Sequence, residues 1–173
     1  MDIPAPLRRI VYATYKRTPK RLRRLAIRVI VPRAPLGAGV LLFDSDGRLL
    51  LVRPSYYRRA RWTLPGGWAN RGEELRDTAV REAREELGAD IEAGAPLATG
   101  RGPFGEVTVV FEGRWRSVPA VERLDAEIAE ARYFECDALP PMLPPARDLI
   151  EEALAVSRRL RSVPGPAVEH DAP

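Results

Sequence analysis

The sequence predicts an α+β fold, a sandwich of helices and strands preceded by a basic helical arm. Two observations support this prediction. Short runs rich in β-branched and aromatic residues lie on both sides of a helical segment, and no alternating series of strands and helices argues for a doubly wound sheet. The 173 residues suffice for one domain with a sizeable core and a short appendage.

Composition narrows the class of protein further. Charged residues make up 30% of the chain and apolar residues 45%, which is typical of soluble globular proteins. No apolar run approaches the roughly 18 residues that a membrane span needs. The single cysteine, Cys136, excludes an internal disulfide framework. We therefore expect a soluble protein in a reducing cytoplasm.

The N-terminal arm, predicted over residues 1–35, holds most of the basic charge. Residues 1–33 contain ten Lys and Arg against Asp2 alone, whereas the remainder is mildly acidic. Within "PKRLRRLAIRVIVP", apolar residues recur at helical spacing between arginines, which predicts an amphipathic helix. This helix either packs on its own domain or on a second copy in a homodimer, or it contacts nucleic acid or an anionic membrane.

The domain, predicted over residues 36–162, begins with strands. Residues 36–43 are apolar and small, "DSDG" at 44–47 forms a turn, and "RLLLVRP" follows, so we expect a β-hairpin. A basic, aromatic loop then leads to a short extended piece at residues 62–64. Residues 73–88 have helical periodicity and end at Gly88, a natural helix stop.

In the second half of the domain, strands are again followed by a helix. "EVTVVFEGRWR" and "EARYFECDAL" are strand-like, prolines at 140–145 break the chain, and "ARDLIEEALAVSRRLR" predicts a final helix. We expect residues 163–173, which include the only histidine, His170, to form a disordered tail.

Three glutamates of the first predicted helix, Glu82, Glu85 and Glu86, lie at positions i, i+3 and i+4 and so share one arc. The neighbouring arc is apolar and faces the core; it comprises Leu75, Ala79, Val80, Ala83 and Leu87. Taken alone, the acidic arc is typical of a solvated helix face. Alternatively, a hard divalent ion offsets the repulsion among the carboxylates, and Mg²⁺ prefers such oxygen ligands.

The wider spacing around these glutamates matches a known motif. Gly67, five residues, Glu73, seven residues and then "REAREELGA" fit G-x5-E-x7-R-E-U-x-E-E-x-G-U, where U is apolar. The chain therefore resembles the Nudix hydrolases. The resemblance covers about residues 36–145 and includes "WTLPGG" before the motif and "EIAEARYFECDALP" after it. The NADH-type marker "SQPWPFP" of that family is absent from the sequence.

The resemblance implies a Nudix-type α/β/α sandwich with a mixed sheet and a bound metal ion. It implies that Glu82, Glu85 and Glu86 are ligands of Mg²⁺, with Mn²⁺ as a substitute, and that the carbonyl of Gly66 completes the set. It also implies that Glu73 and Arg81 position these ligands, although an exposed helix salt bridge is the alternative for this pair.

The chemistry that the resemblance implies is hydrolysis of a pyrophosphate link, in a nucleoside diphosphate joined to another moiety or in a nucleoside triphosphate. Such a reaction needs charge neutralisation and an activated water molecule. A glutamate is the expected general base, because the one histidine lies in the tail. Glu85 and Glu86 are candidates inside the motif; outside it, Glu127 leads, followed by Glu130 and Glu106.

The candidate substrate-binding residues are of two kinds. Arginines before the motif could bind phosphates through their guanidinium forks; these are Arg53, Arg58, Arg59 and Arg61. Six aromatic residues either stack on a base or pack in the core: Tyr56, Tyr57, Trp62, Trp68, Phe104 and Trp115. The alternative function is an RNA-directed protein whose basic arm binds the RNA chain.

Overall fold

The computed structural model describes residues 19–22, 34–56, 61–117 and 126–162. The chain divides into two units, Met1–Arg33 and Ala34–Pro173. In the first unit, residues 20–22 are helical. The rest of the predicted arm lies outside the described residues, as does the predicted tail at 163–173.

The second unit contains strands and helices in an order that agrees with an α+β class. In chain order they are β1 (Leu36–Leu41), β2 (Leu49–Pro54), β3 (Gly66–Trp68), α1 (Leu75–Leu87), β4 (Ile91–Arg101), β5 (Val107–Trp115), β6 (Ile128–Phe134) and α2 (Pro144–Ser162). A four-stranded sheet has the order β3-β1-β5-β4, and β2 pairs with β6 in a second sheet. The first sheet is mixed, because β1 runs parallel to β5 while the pairs β1–β3 and β4–β5 are antiparallel.

Helices cover both faces of the mixed sheet. Along β1, Ala38 and Val40 belong to the core cluster that contains α1, while Leu41 belongs to the cluster that contains α2. Successive side chains of a strand point to opposite faces, so α1 and α2 lie on opposite sides of the sheet. The predicted α/β/α sandwich with a mixed sheet is confirmed.

The predicted hairpin over residues 36–54 is wrong beyond its turn. The turn itself forms: Asp44 Oδ1 accepts hydrogen bonds from the backbone N–H groups of Asp46 at 3.0 Å and Arg48 at 2.9 Å, and a bridge joins Phe43 to Leu49. Beyond it, β1 and β2 belong to different sheets. Both strands are almost entirely buried, and such unbroken apolar runs suit strands covered on both faces rather than a half-exposed hairpin.

Strand β4 is an element that the sequence pattern does not predict. Gly94, Pro96 and Gly100 interrupt its apolar pattern, and the pairing with β5 shifts register on both sides of Pro96. Glycine and proline are depleted in strand interiors and mark irregularities there. The eleven-residue strand therefore carries a weak local signal although it pairs along most of β5.

No helix in the described part of the chain is long and apolar enough to cross a membrane.

Two glycines of the mixed sheet provide a test of its packing. A Cβ atom at Gly113 would lie 2.5 Å from Val40 Cγ2 and 2.6 Å from Leu42 Cδ2, whereas a Cβ at Gly94 would meet Glu112 at an ordinary 3.4 Å. We expect Gly113→Ala to lower the free energy of unfolding by about 1–3 kcal/mol through overpacking and Gly94→Ala to cause little change. Urea denaturation measures both; an unchanged Gly113→Ala midpoint would contradict the close approach of β5 to β1.

Candidate active site

Helix α1 carries its acidic arc along the edge of its buried face. Ala79, Ala83 and Leu87 are fully buried against the sheet, and Gly88 ends the helix in a left-handed conformation with φ of 63°. This packing leaves Glu82 partly covered, with 16% of its side chain exposed, and Glu85 in solvent, with 54% exposed. The predicted apolar arc is therefore the buried one.

One guanidinium group connects the glutamates. Arg81 Nη1 donates to Glu82 Oε1 at 2.7 Å and to Glu85 Oε2 at 2.9 Å. Its Nε donates to Glu73 Oε1 at 2.8 Å, and its Nη2 donates to Glu73 Oε2 and to the carbonyl oxygen of Trp68, both at 3.1 Å. Arg81 thereby joins the helix, the loop before it and strand β3.

These contacts change the acidity of the groups involved. The hydrogen bonds from Arg81, followed by the backbone N–H of Asn70, lower the pKa of Glu73 to about 2. The pKa of Arg81 is raised, chiefly by the bond to Glu73. Burial raises the pKa of Glu82, and the contact with Arg81 only partly opposes this effect. Glu82 is thus a carboxylate that gains from additional positive charge nearby.

Two glycines let the backbone of β3 approach the carboxylates. The N–H of Gly66 donates to Glu86 Oε2 at 2.9 Å. A Cβ atom at Gly66, whose φ is 148°, would lie 2.1 Å from the carbonyl oxygen of Ala38, and one at Gly67 would lie 2.5 Å from the carboxyl group of Glu82. Glycine is therefore a steric requirement at Gly66, and at Gly67 it leaves room for the carboxyl group of Glu82.

The carboxylate and carbonyl oxygens of the predicted ligands suit a hard divalent cation, but they do not form a complete metal site. Within the described ranges, no three Asp, Glu, His or Cys side chains form a metal-binding group. Instead, Arg81 Nη1 is the cation between Glu82 and Glu85. All the candidate donors are oxygens, as Mg²⁺ prefers. An ion bound between these two carboxylates would have to displace at least one of their bonds to Arg81.

The candidate bases outside the motif differ in their surroundings. Glu127 lies in an exposed turn before β6, where its carbonyl oxygen accepts the N–H of Ser55 at 2.8 Å. Glu130 pairs with Arg53 at 3.2 Å and also with Arg132. Glu106 is buried at the end of the β4–β5 connection. Three candidate bases predicted together thus have three different environments.

The predicted phosphate-binding arginines also differ in their surroundings. Arg53 has its charge met by Glu130, which weakens its case as a phosphate ligand. Arg61 is half-buried. Arg58 lies outside the described residues, as do Arg59 and Tyr57.

A cavity of about 140 Å³ opens on the α2 face of the sheet. Trp68 and Phe104 line it and contact each other edge to face, with ring centroids 6.4 Å apart, and Tyr56 lines it as well. Leu149 and Ile150 of α2 form part of its wall. Gly66 and Gly67 also line the cavity, so it reaches the same strand that contacts the glutamates.

The remaining aromatic candidates are structural. Trp62 packs edge to face against Phe134 at 4.7 Å, and Trp115 Nε1 donates to the carbonyl oxygen of Phe43 at 2.8 Å. Glu106 is predicted from the sequence only as a candidate base, and the sequence does not show that Gly37 and Thr108 line the cavity with it. Their proximity depends on the pairing of β1 with β5, which no local sequence signal shows.

The chain is similar in sequence to known proteins. The family model for the NUDIX domain matches residues 33–154. The chain is 30% identical over 132 residues to the NAD-capped RNA hydrolase NudC of Pseudomonas aeruginosa, an alignment that covers 76% of this chain and 46% of that protein. The chain thus spans less than half the length of this curated relative.

Several solved structures have a fold similar to that of this chain. An ADP-ribose pyrophosphatase from Streptococcus suis is 25% identical, with a TM-score of 0.61 over 73% of this chain and 93% of that one. A MutT NUDIX hydrolase from Burkholderia pseudomallei is 26% identical, with a TM-score of 0.60 over 70% of this chain and 98% of that one.

The contact between Arg81 and Glu73 predicts a measurable acidity. We expect the Glu73 carboxyl to titrate near pH 2 by NMR and, in Arg81→Gln, to return toward its ordinary value of 4.5. Because the folded pKa is lowered, the stabilisation from this contact is complete above pH 4.5 and is lost as the pH falls toward 2.

Arg84→Gln is the control, since Arg84 lies on the same helix but donates to Asp90. An ordinary pKa for Glu73 in the unmodified protein would contradict the assigned hydrogen bonds.

Proposed function

Because this chain belongs to the Nudix family of hydrolases, we propose that it hydrolyses a phosphoric anhydride bond in a small nucleotide with the help of a divalent metal ion. The substrate is a nucleoside diphosphate linked to another moiety, or a nucleoside triphosphate. The observation that carries the proposal is the arrangement around β3: clustered carboxylates contact this strand, and an aromatic-rimmed cavity is lined by the same two glycines.

The proposed metal ligands are Glu82, Glu85 and Glu86, with the carbonyl oxygen of Gly66. Members of the family generally use divalent metal ions, and oxygen-only donors favour Mg²⁺, with Mn²⁺ as a substitute. When bound, the ion would neutralise phosphate charge and acidify a water molecule. The raised pKa of Glu82 supports a cation at this position, since an ion would offset the cost of burying the carboxylate.

Arg81 has two roles in this proposal. Its guanidinium bridges Glu82 and Glu85 and reduces the repulsion between them. Its bonds to Glu73 and to the carbonyl oxygen of Trp68 keep helix α1 in place against β3. Glu73 therefore positions Arg81, and it acts on the metal ligands only through Arg81.

We propose that the general base is one of three glutamates. Glu85 is the most accessible carboxylate of the motif, and its hydrogen bond to Arg81 is exposed. Glu86 is already engaged by the N–H of Gly66, which favours a ligand role. Glu127 stays a candidate, because its turn is anchored to Ser55 and its side chain is exposed.

The base of the nucleotide is proposed to occupy the cavity on the α2 face. Trp68 and Phe104 offer aromatic surfaces for stacking at the rim. From there the phosphates would pass the edge of β3 to reach the glutamates. Arg61 and Arg58 stay candidates for phosphate contact; Arg53 is the weakest of the three because Glu130 already pairs with it.

Substitution at Glu86 tests the metal assignment. Glu86→Gln keeps an oxygen that can accept the N–H of Gly66 but removes the charge, so we expect a normal fold and a loss of roughly a hundredfold or more in kcat. Hydrolysis of a nucleotide panel at several Mg²⁺ concentrations, with a thermal unfolding curve for each variant, provides the measurement.

Glu74→Gln is the matched control, because Glu74 precedes the same helix, is exposed and makes no capping hydrogen bond with its side chain. Near-normal turnover by Glu86→Gln at limiting Mg²⁺ would show that Glu86 is not a ligand.

The second candidate function is hydrolysis at the end of an RNA chain. It is favoured by the similarity to a NAD-capped RNA hydrolase and by the basic charge of residues 1–33. The absence of "SQPWPFP" argues against a reduced-nicotinamide substrate, so an RNA substrate would be recognised chiefly through its phosphates.

Salt dependence separates the two candidates. If the arm binds RNA, changing Arg21, Arg23, Arg24 and Arg28 to glutamine should make the plot of log affinity against log salt shallower by about 0.7 for each lost phosphate contact. Fluorescence anisotropy with labelled single-stranded RNA measures this slope. Turnover of a small nucleotide should not change, and an unaltered RNA slope would rule out an electrostatic role for these arginines.

A further inference from the structure

We propose that Glu106, with Thr108, selects the base held in the cavity and favours one whose edge carries adjacent N–H donors, which among the common bases is guanine. The inference rests on the proposed function in taking the ligand to be a nucleotide. It adds a specificity-determining pair to that site.

Glu106 is a buried carboxylate with few partners of its own. Its residue is 5% exposed, and among the described residues its carboxylate accepts one hydrogen bond, from the backbone N–H of Phe104 at 2.9 Å. Each carboxylate oxygen can accept more than one bond. A buried carboxylate is costly unless its oxygens are satisfied, so a ligand with N–H donors would be favoured beside it.

The surrounding backbone holds this side chain in place. A Cβ atom at Gly102 would lie 1.8 Å from Glu106 Oε1, so the Gly102 backbone lies directly against the carboxylate. The N–H of Gly102 donates to the carbonyl oxygen of Glu106 at 2.9 Å, and the N–H of Gly105 donates to the carbonyl oxygen of Gly102 at 3.1 Å. The carboxylate is therefore held in one position in the cavity lining.

Thr108 supplies a second polar group at the same place. A Cβ atom at Gly37, which also lines the cavity, would lie 3.3 Å from Thr108 Oγ1, 3.8 Å from Glu106 Cγ and 3.2 Å from the carbonyl oxygen of Gly67. Even a methyl group would be crowded at this position, so glycine here keeps Thr108 and Glu106 in the cavity lining. Gly37 lies between the polar pair and the strand that contacts the glutamates.

The hydrogen-bonding capacities of the pair match one base edge. A carboxylate only accepts, whereas a threonine hydroxyl can also donate. The Watson–Crick edge of guanine has two adjacent donors, N1–H and N2–H, beside the O6 acceptor. Adenine, cytosine and uracil each place an acceptor lone pair next to their donor, which would face the carboxylate. Guanine alone can satisfy Glu106 with two donors and accept from Thr108.

Binding of nucleoside diphosphates in the absence of metal tests whether Glu106 and Thr108 recognise guanine. Calorimetry with GDP, IDP, ADP and UDP should show GDP binding roughly tenfold to a hundredfold more tightly than ADP, as expected for hydrogen bonds to a charged group. IDP should be intermediate, because it lacks the 2-amino group. In Glu106→Gln the GDP-to-ADP ratio should fall to within about threefold, while exposed Glu135→Gln should keep the original ratio.

Several outcomes would overturn the proposal: no nucleotide binding, no preference for GDP in the unmodified protein, or an unchanged ratio in folded Glu106→Gln. If Glu106→Gln does not fold, Thr108→Val decides, since it should weaken GDP and IDP binding but not ADP binding. Hydrolysis of the matching triphosphates in Mg²⁺ is followed in parallel. A GDP preference without turnover would refute the proposed function alone, and turnover without base preference would refute this inference alone.

Discussion

The arrangement around β3 depends on one charged group, the guanidinium of Arg81. Three carboxylates, those of Glu73, Glu82 and Glu85, surround it, and charge-assisted hydrogen bonds of this kind are among the stronger ones in proteins. Without a cation the glutamates on one helix face would repel one another. Arg81 therefore offsets the repulsion within the acidic arc on the folded helix.

The two halves of the site lie on opposite faces of the sheet. The glutamates belong to α1, the cavity lies against α2, and the glycines of β3 contact both. Glycine is required at Gly66, because a side chain there would collide with the backbone of Ala38, whereas a side chain at Gly67 would push the carboxyl group of Glu82 aside. A substrate that extends over the edge of this strand would place chemically different ends in different surroundings, an apolar aromatic one and a charged one.

Local patterns predicted the parts of the site that lie within one element. The spacing of the motif located α1, its end at Gly88 and the acidic arc, because helix periodicity depends only on neighbouring residues. The separation of β1 from β2, the pair of Arg53 with Glu130 and the burial of Glu106 depend on strands that are distant in the sequence. Strand β4 was missed for another reason, since Pro96 and its neighbouring glycines mask its pattern.

The short strand β3 lies at the edge of the mixed sheet, and edge strands expose backbone groups to which another chain can add. Here the N–H of Gly66 is occupied by Glu86 and the carbonyl oxygen of Trp68 by Arg81, so two side chains of α1 take the place of a neighbouring strand. The charges proposed to serve catalysis also protect this edge from strand addition. Loss of both would leave an open, three-residue template for self-association, and colloidal stability would then decline together with activity.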